Sequence, residues 1–232
     1  SGARMEGADL SGARMEGAVL RNARIEEADL SDARMEGADL LDARMEGADL
    51  SGARMEEADL SGARMEGAVL FGARMEGAVL VGARMEGADL SFARMEGAVL
   101  SFARMEGAVL WDADMRSVSW ARATLRGAVA HDTDLRFGRG LTQSQLDQVL
   151  GDENTLLPED LHVWTCWDPA ALPLTARGTA ERSALFLDLS AAQILDDWTC
   201  DTGQVPDPTG VSCGIEGPER DPRCDRPGGP SD

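Results

Sequence analysis

The chain has 232 residues, enough for one or two domains. Its 42 acidic residues outnumber 22 basic ones, all of them arginine, and the net charge is −20. That balance repels nucleic acid and anionic membranes, and no window approaches 18 consecutive apolar residues, so no helix of this sequence spans a bilayer.

Residues 1–139 keep a five-residue period almost without a break, alternating Ala-Arg-Met-Glu-Gly with Ala-Asp-Leu-Ser-Gly or close variants. Ala, Met, Glu, Arg and Leu are good helix formers, which makes a long helix the tempting reading. The period excludes it. A helix turns about 100° per residue, so a five-residue spacing drifts around the axis and builds no apolar stripe. Recurrent glycine would weaken a helix further, by roughly 1 kcal/mol at each position. Coiled coils need a period of about 3.5 and collagen one of 3. A short repeat sustained this long signals a solenoid whose units bury themselves against their neighbours. The chain begins inside this repeat, at Ser1-Gly2-Ala3, with neither an initiator Met nor a signal peptide, and is read as a piece of something longer.

These residues resemble the pentapeptide-repeat family, whose units run Ala or Cys, then Asp, Asn or a variable residue, then Leu, Phe or Met, then two variable residues. The match covers residues 3 to about 137, some 27 units. The central apolar residue falls on Met5, Leu10, Met15, Leu20 and Ile25 and on to Leu135, with the small residue two places earlier at Ala3, Ala8 and Ala13. The last units depart from the pattern: Trp120 and Ala130 take the central place, and Val118 and Thr133 the small one, so the final coils are expected to be irregular or covered. The resemblance implies an all-β solenoid: a right-handed quadrilateral parallel β-helix of about seven coils, four units to a coil, roughly 30 Å long at the usual strand spacing. A small C-terminal helical cap and an irregular tail complete the expected fold. Alanine and the central residue would point inward, the other three outward, with glycine at the corners where φ is positive.

Within this frame a ten-residue super-period puts the same kind of unit on opposite sides. Two sides carry arginine ladders, Arg4 to Arg104 and Arg14 to Arg94, each with Glu two residues on. The ladders are read as solvated, self-neutralising surfaces. On the other two sides the first half presents Asp9, Asp29, Asp39, Asp49 and Asp59. The second half replaces these with Val69, Val79, Val99 and Val109, joined by Phe71, Val81, Phe92, Phe102 and Trp111. An exposed apolar patch of this kind marks an interface, either for residues 140–200 folding back or for a partner or second copy. An uncapped first coil likewise invites edge pairing and an end-to-end or side-by-side homodimer.

Residues 140–200 lose the period and show helix signals. Thr142 and Gln145 form a capping box, Leu141 and Leu146 a hydrophobic staple, Leu146, Val149 and Leu150 an apolar stripe, and Gly151 the stop. A helix there would lid the last coil. The stretch through Leu156-Leu157-Pro158 resembles a segment that follows the repeats in bacterial members. A second box is read at Ser190 and Gln193. Residues 201–232 are rich in Pro, Gly and Asp, too poor in apolar groups to order themselves. The four cysteines, Cys166, Cys200, Cys213 and Cys224, lack zinc-knuckle spacing. Disulfides Cys166–Cys200 and Cys213–Cys224 are the favoured arrangement, ahead of free thiols or a metal, and pairing would place the chain outside the cytoplasm.

Little points to chemistry. The two histidines, His131 and His162, sit in no catalytic or ligand pattern, and His131 is expected to be an exposed bystander. The carboxylates lie in ladders without a cleft, there is no phosphate loop, and no cofactor is expected. The sequence reads as a non-catalytic scaffold for a protein partner or for itself, with no direct nucleic-acid contact. The alternative is a DNA-mimicking modulator of gyrase, as in the pentapeptide proteins of quinolone resistance. Against it, residues 1–140 hold 17 Arg and 25 acids, so most of the excess acidity lies off the rod.

Overall fold

A computed structural model of the chain describes residues 2–152, 154–159 and 161. The four cysteines, His162, the box at Ser190 and Gln193, and residues 201–232 lie outside the described residues.

The repeat closes a turn every 20 residues. Parallel bridges join Arg4 to Arg24, Asp9 to Asp29, Arg14 to Arg34 and Val19 to Asp39, which gives four bridged sides per turn, and the same register continues to Ser119 with Arg139. The backbone accounting explains why a two-residue bridge suffices on each side. Arg64 N donates to Ala43 O at 2.8 Å and Met45 N to Arg64 O at 2.7 Å, so the strand position bonds to the coil before it through both its polar groups. The corner bonds as well: Ala8 N donates to Met5 O at 3.1 Å, and the third turn residue, Gly7, has φ of +62° while Glu6 does not. Positive φ at that place alone is the type II turn, which favours glycine.

Side chains at the alanine and central positions fill the tube. From Ala23 to Met105 every one of them is essentially inaccessible to solvent, while Met5, Leu10 and Met15 of the first turn are only partly buried against the same core. Alanine is required because each side contributes two inward residues and the section has room for one large one.

Regular pairing persists through the units that break the sequence pattern, and of the two expectations there, irregular or covered, it is the covered one that holds. Trp120, Ala130, Val118 and Thr133 are all fully buried. The physical reason is compensation of volume: the large ring at 120 is offset by Ala130, a small residue at a later central place. Gly138 lies against the indole, where an added Cβ would stand 3.1 Å from Trp120 Cδ1.

The segment after the repeat closes the open edge. α1 (Gln143–Leu146) is a single turn capped by Thr142, and β2 (Leu150–Gly151) pairs in parallel with β1 (Val129–Ala130). The expected helix through Leu150 with a stop at Gly151 is therefore corrected: the helix ends at Leu146, and Leu150 and Gly151 are strand. The exposed edge of the last coil decides this, because Gly127 N donates to Gln148 O at 2.7 Å and Leu150 N to Ala128 O at 2.9 Å, groups that a longer helix would leave without partners. Pairing reaches Leu156, bridged to Asp134. Among the described residues no helix is long and apolar enough to cross a membrane.

Gln145 joins the cap to the coil. Its Oε1 accepts from Thr142 N at 2.8 Å, and its Nε2 donates to Trp120 O at 3.0 Å and Ala123 O at 2.8 Å. Gln145→Ala removes all three bonds and leaves the Ala123 carbonyl without its donor, while Trp120 O keeps the bond from Ala123 N at 2.9 Å. We expect a loss of about 1–3 kcal/mol in urea melts, against under about 0.5 kcal/mol for the exposed Ser144→Ala.

Candidate functional site

The outward residues sort by column. Residues 20 apart, or 21 apart at a corner, lie on one edge of the rod. The nine apolar residues expected to form one patch divide accordingly. Val69, Phe71, Phe92, Val109 and Trp111 share one side and its following corner; Val79, Val81, Val99 and Phe102 lie half a turn away on the opposite side. The register makes this unavoidable, since Val69 bridges Asp49 and Asp89 whereas Val79 bridges Asp59 and Val99. Val109 is also not a surface residue: at 2% exposure it is closed in within a column whose neighbours, Asp89 and Val129, are equally buried.

On the first corner the rings form a continuous column. Phe71 and Phe92 have centroids 5.1 Å apart, Phe92 and Trp111 5.5 Å, and Trp111 and His131 6.4 Å with the last pair edge-on. The residue two places earlier varies in step with the ring. Where it is Asp29 or Asp49, the corner holds Ser31 or Ser51, whose hydroxyl donates to that carboxylate at 2.6 or 2.5 Å. Where it is Val69 or Val109, the corner holds Phe71 or Trp111. The opposite corner is sparser: Phe102 is half exposed, with the Arg122 guanidinium 5.4 Å above its ring.

Phe92 is costly where it stands. Its φ is +59°, at the corner position that glycine occupies in the coil below, at Gly72. A bulky residue there costs about 1–2 kcal/mol, and its two ring pairs return about 0.5–1.5 kcal/mol each. The ring pairs and the partial burial of the ring offset this cost, and other corners hold non-glycine residues at positive φ too, Phe102 and Phe137 among them.

The arginine ladders are zipped. Arg44 Nε lies 2.9 Å from Glu26 of the preceding coil and 3.6 Å from Glu46 of its own, and Arg64 repeats this with Glu46 and Glu66. Each guanidinium thus sits between two carboxylates, and each such half-exposed pair is worth about 0–1 kcal/mol.

Near the last coil the ladder on one side changes to aspartate. Arg116 lies 2.7 Å from Asp114 and 2.9 Å from Glu96. Hydrogen bonding from Arg116 holds the Asp114 carboxyl below its ordinary 3.8. Burial pushes Asp134 up, but the bonds and charge of Arg136 outweigh that and hold it low. Because the folded pKa values are depressed, this stabilisation is complete above the ordinary carboxylate range and fades as pH falls through the lowered values. Arg116→Gln should therefore cost stability at pH 7, and the gap from wild type should narrow in melts taken as pH falls below the ordinary carboxylate value of 3.8.

His131, expected to be an exposed bystander, is mostly buried, with 15% of its side chain accessible. Its Nδ1 lies 2.8 Å from Asp132 Oδ2 and its Nε2 3.2 Å from Asp152 Oδ2. Burial, and then the charge of Asp132, pushes the neighbouring Asp112 carboxyl up. The signal for this cluster was present in the sequence as Asp112, Asp132 and Asp152, spaced by one coil length; it was missed because the last of them lies beyond the repeat.

Comparison with known proteins agrees with this geometry. The family model "Pentapeptide repeats" matches in 8 copies, over residues 1–37, 28–67, 63–101 and 103–136. Among solved structures, a trypsin-treated variant of QnrB1, a plasmid-mediated fluoroquinolone resistance protein, is 21% identical, with a TM-score of 0.59, covering 82% of this chain and 95% of that one. A pentapeptide repeat protein from the Arabidopsis thaliana thylakoid lumen is 31% identical, covering 39% of this chain and 67% of that one, with a TM-score of 0.35. HetL, a pentapeptide repeat protein involved in heterocyst differentiation regulation in Nostoc sp. strain PCC 7120, is 25% identical, covering 67% and 86%, with a TM-score of 0.25. No curated protein matches by sequence.

Proposed function

This chain belongs to the pentapeptide-repeat family, a right-handed β-helix solenoid, and on that premise we propose that it is a non-catalytic scaffold that holds a protein partner, a second copy included, against the aromatic corner of its rod. We take the rod as about seven coils closed by α1 and β2. The observation that carries the reading is the ring column Phe71, Phe92 and Trp111, ordered at one corner of the rod. Aromatic side chains ordered in a column offer large contact area at little further entropic cost, which is what interface anchors need.

Sedimentation velocity over a concentration series tests the homotypic form. Wild-type protein should associate, and a Phe71→Ser, Trp111→Ser double variant should remain monomeric with an unchanged circular dichroism spectrum. Equal association of the two proteins would remove the corner as the contact face.

A second reading is a DNA-mimicking modulator of gyrase. Its support is the likeness in shape to the fluoroquinolone resistance protein QnrB1 together with the net charge of −20. The zipped arginine ladders weigh against it, because two of the four sides present alternating charge where DNA presents unbroken rows of phosphate. A gyrase supercoiling assay separates the readings: neither inhibition nor protection at micromolar protein leaves the scaffold alone.

A further inference from the structure

We propose that His131, Asp132 and Asp152 form a divalent-cation site of the zinc class, at the seam where the closing segment meets the last coil. One ligand atom from each residue can be chosen so that all lie within 4.8 Å of one another. Asp132 Oδ2 lies 2.8 Å from Nδ1 and Asp152 Oδ2 3.2 Å from Nε2, so the two carboxylates flank opposite nitrogens of one ring. The ion takes one ring nitrogen, and the carboxylate beside the other nitrogen turns to meet it.

The carboxylates are oriented by neighbours rather than left to solvent. Asp152 Oδ1 accepts from Asp132 N at 3.0 Å and from Thr155 Oγ1 at 2.6 Å, which leaves Oδ2 facing the imidazole. Asp132 Oδ2 accepts from Trp111 Nε1 at 3.3 Å. Outer donors of this kind fix ligand direction in metal sites.

Charge gives an independent argument. Asp132 and Asp152 form ion pairs with His131 alone among the described residues, and Asp112 lies within the field of Asp132. Two carboxylates flank one imidazole, and among the described residues no arginine is paired to either of them. An excess of negative charge remains whatever the state of the ring, and a divalent cation cancels it. The donor set selects the class: one imidazole with two carboxylates suits zinc and its neighbours, whereas calcium needs six to eight oxygens. The fourth position is left for water or for a side chain of a partner. Bound there, the ion would tie Asp152 of the closing segment to the coil below it, so that metal and cap stabilise each other.

The test is calorimetric titration of the full chain, stripped with EDTA, with Zn2+ and separately with Ca2+ at neutral pH, beside a variant with all four cysteines replaced by serine. We expect one Zn2+ per chain in both proteins, no uptake of Ca2+, and a rise in melting temperature with Zn2+. His131→Asn and Asp152→Asn, each checked by circular dichroism for an intact fold, should weaken Zn2+ binding at least tenfold. Co2+ should give a visible ligand-field spectrum without a thiolate charge-transfer band. Absence of Zn2+ uptake, uptake lost with the cysteines, or uptake unchanged in both His131→Asn and Asp152→Asn would overturn the site.

Discussion

Leu70→Asp unfolds the solenoid around it, while Val69→Asp, one residue earlier, leaves it standing. Leu70 is fully buried in the tube, between Leu50 and Leu90 of the adjoining coils. Removing it forfeits about 2 kcal/mol of apolar burial, and placing an acid there adds roughly 2–7 kcal/mol even when the carboxyl takes up a proton. The sum, on the order of 5 kcal/mol or more, is comparable to the whole stability of an ordinary domain. Val69 points outward and bridges Asp49 below and Asp89 above. Its column already accepts aspartate in both neighbouring coils, and the two added like-charge contacts, with Asp49 and with the buried Asp89, cost about 1 kcal/mol each. Urea melts followed by circular dichroism decide the matter. Equal effects at the two positions would mean that inward and outward residues have been assigned wrongly.

Trp120→Ala is expected to cost about 3–5 kcal/mol, the range for deleting a large buried ring, and to loosen the closing segment first. Trp120 is fully buried at the place where earlier coils hold leucine. Its backbone carbonyl accepts from Gln145, and its ring abuts Gly138, so the cavity would open directly beneath the cap. Trp120→Leu should fall between wild type and alanine. Leucine matches the column below, but Ala130 and Gly138 leave more space than leucine fills. Hydrogen exchange should show the amides of Leu150 and Leu156 losing protection before those of Leu50 or Met55, because solenoids transmit stability between nearest neighbours. Unchanged protection at Leu150 would show that the ring does not support the cap.

The interior was legible because a tube imposes the same demand at every unit. Ala and Met or Leu recur since one small and one large inward side chain fill so narrow a section at every regular unit, and a reader needs only the period to place them. Trp120 and Ala130 each break the pattern, and taken one residue at a time each reads as a defect. The structure shows the compensation, since volume is shared across the tube and not within a unit. The apolar surface was legible as residues on two opposite sides but was taken as one contiguous patch, which the register excludes by keeping Val69 and Val79 half a turn apart.

The order of inward and outward residues, the positive-φ corners and the charge ladders were fixed by the amino-acid sequence alone, since each depends only on position within a unit. Which outward side chains share a corner was settled by the tertiary structure, through the turn of 20 residues that stacks Phe71, Phe92, Trp111 and His131 although they are far apart in the chain. The end of the helix at Leu146 and the approach of Asp152 to His131 were likewise tertiary outcomes. Both follow from the unpaired backbone edge of the last coil, which captures Leu150 and Leu156 as strand, and no local propensity in those residues records that such an edge is waiting.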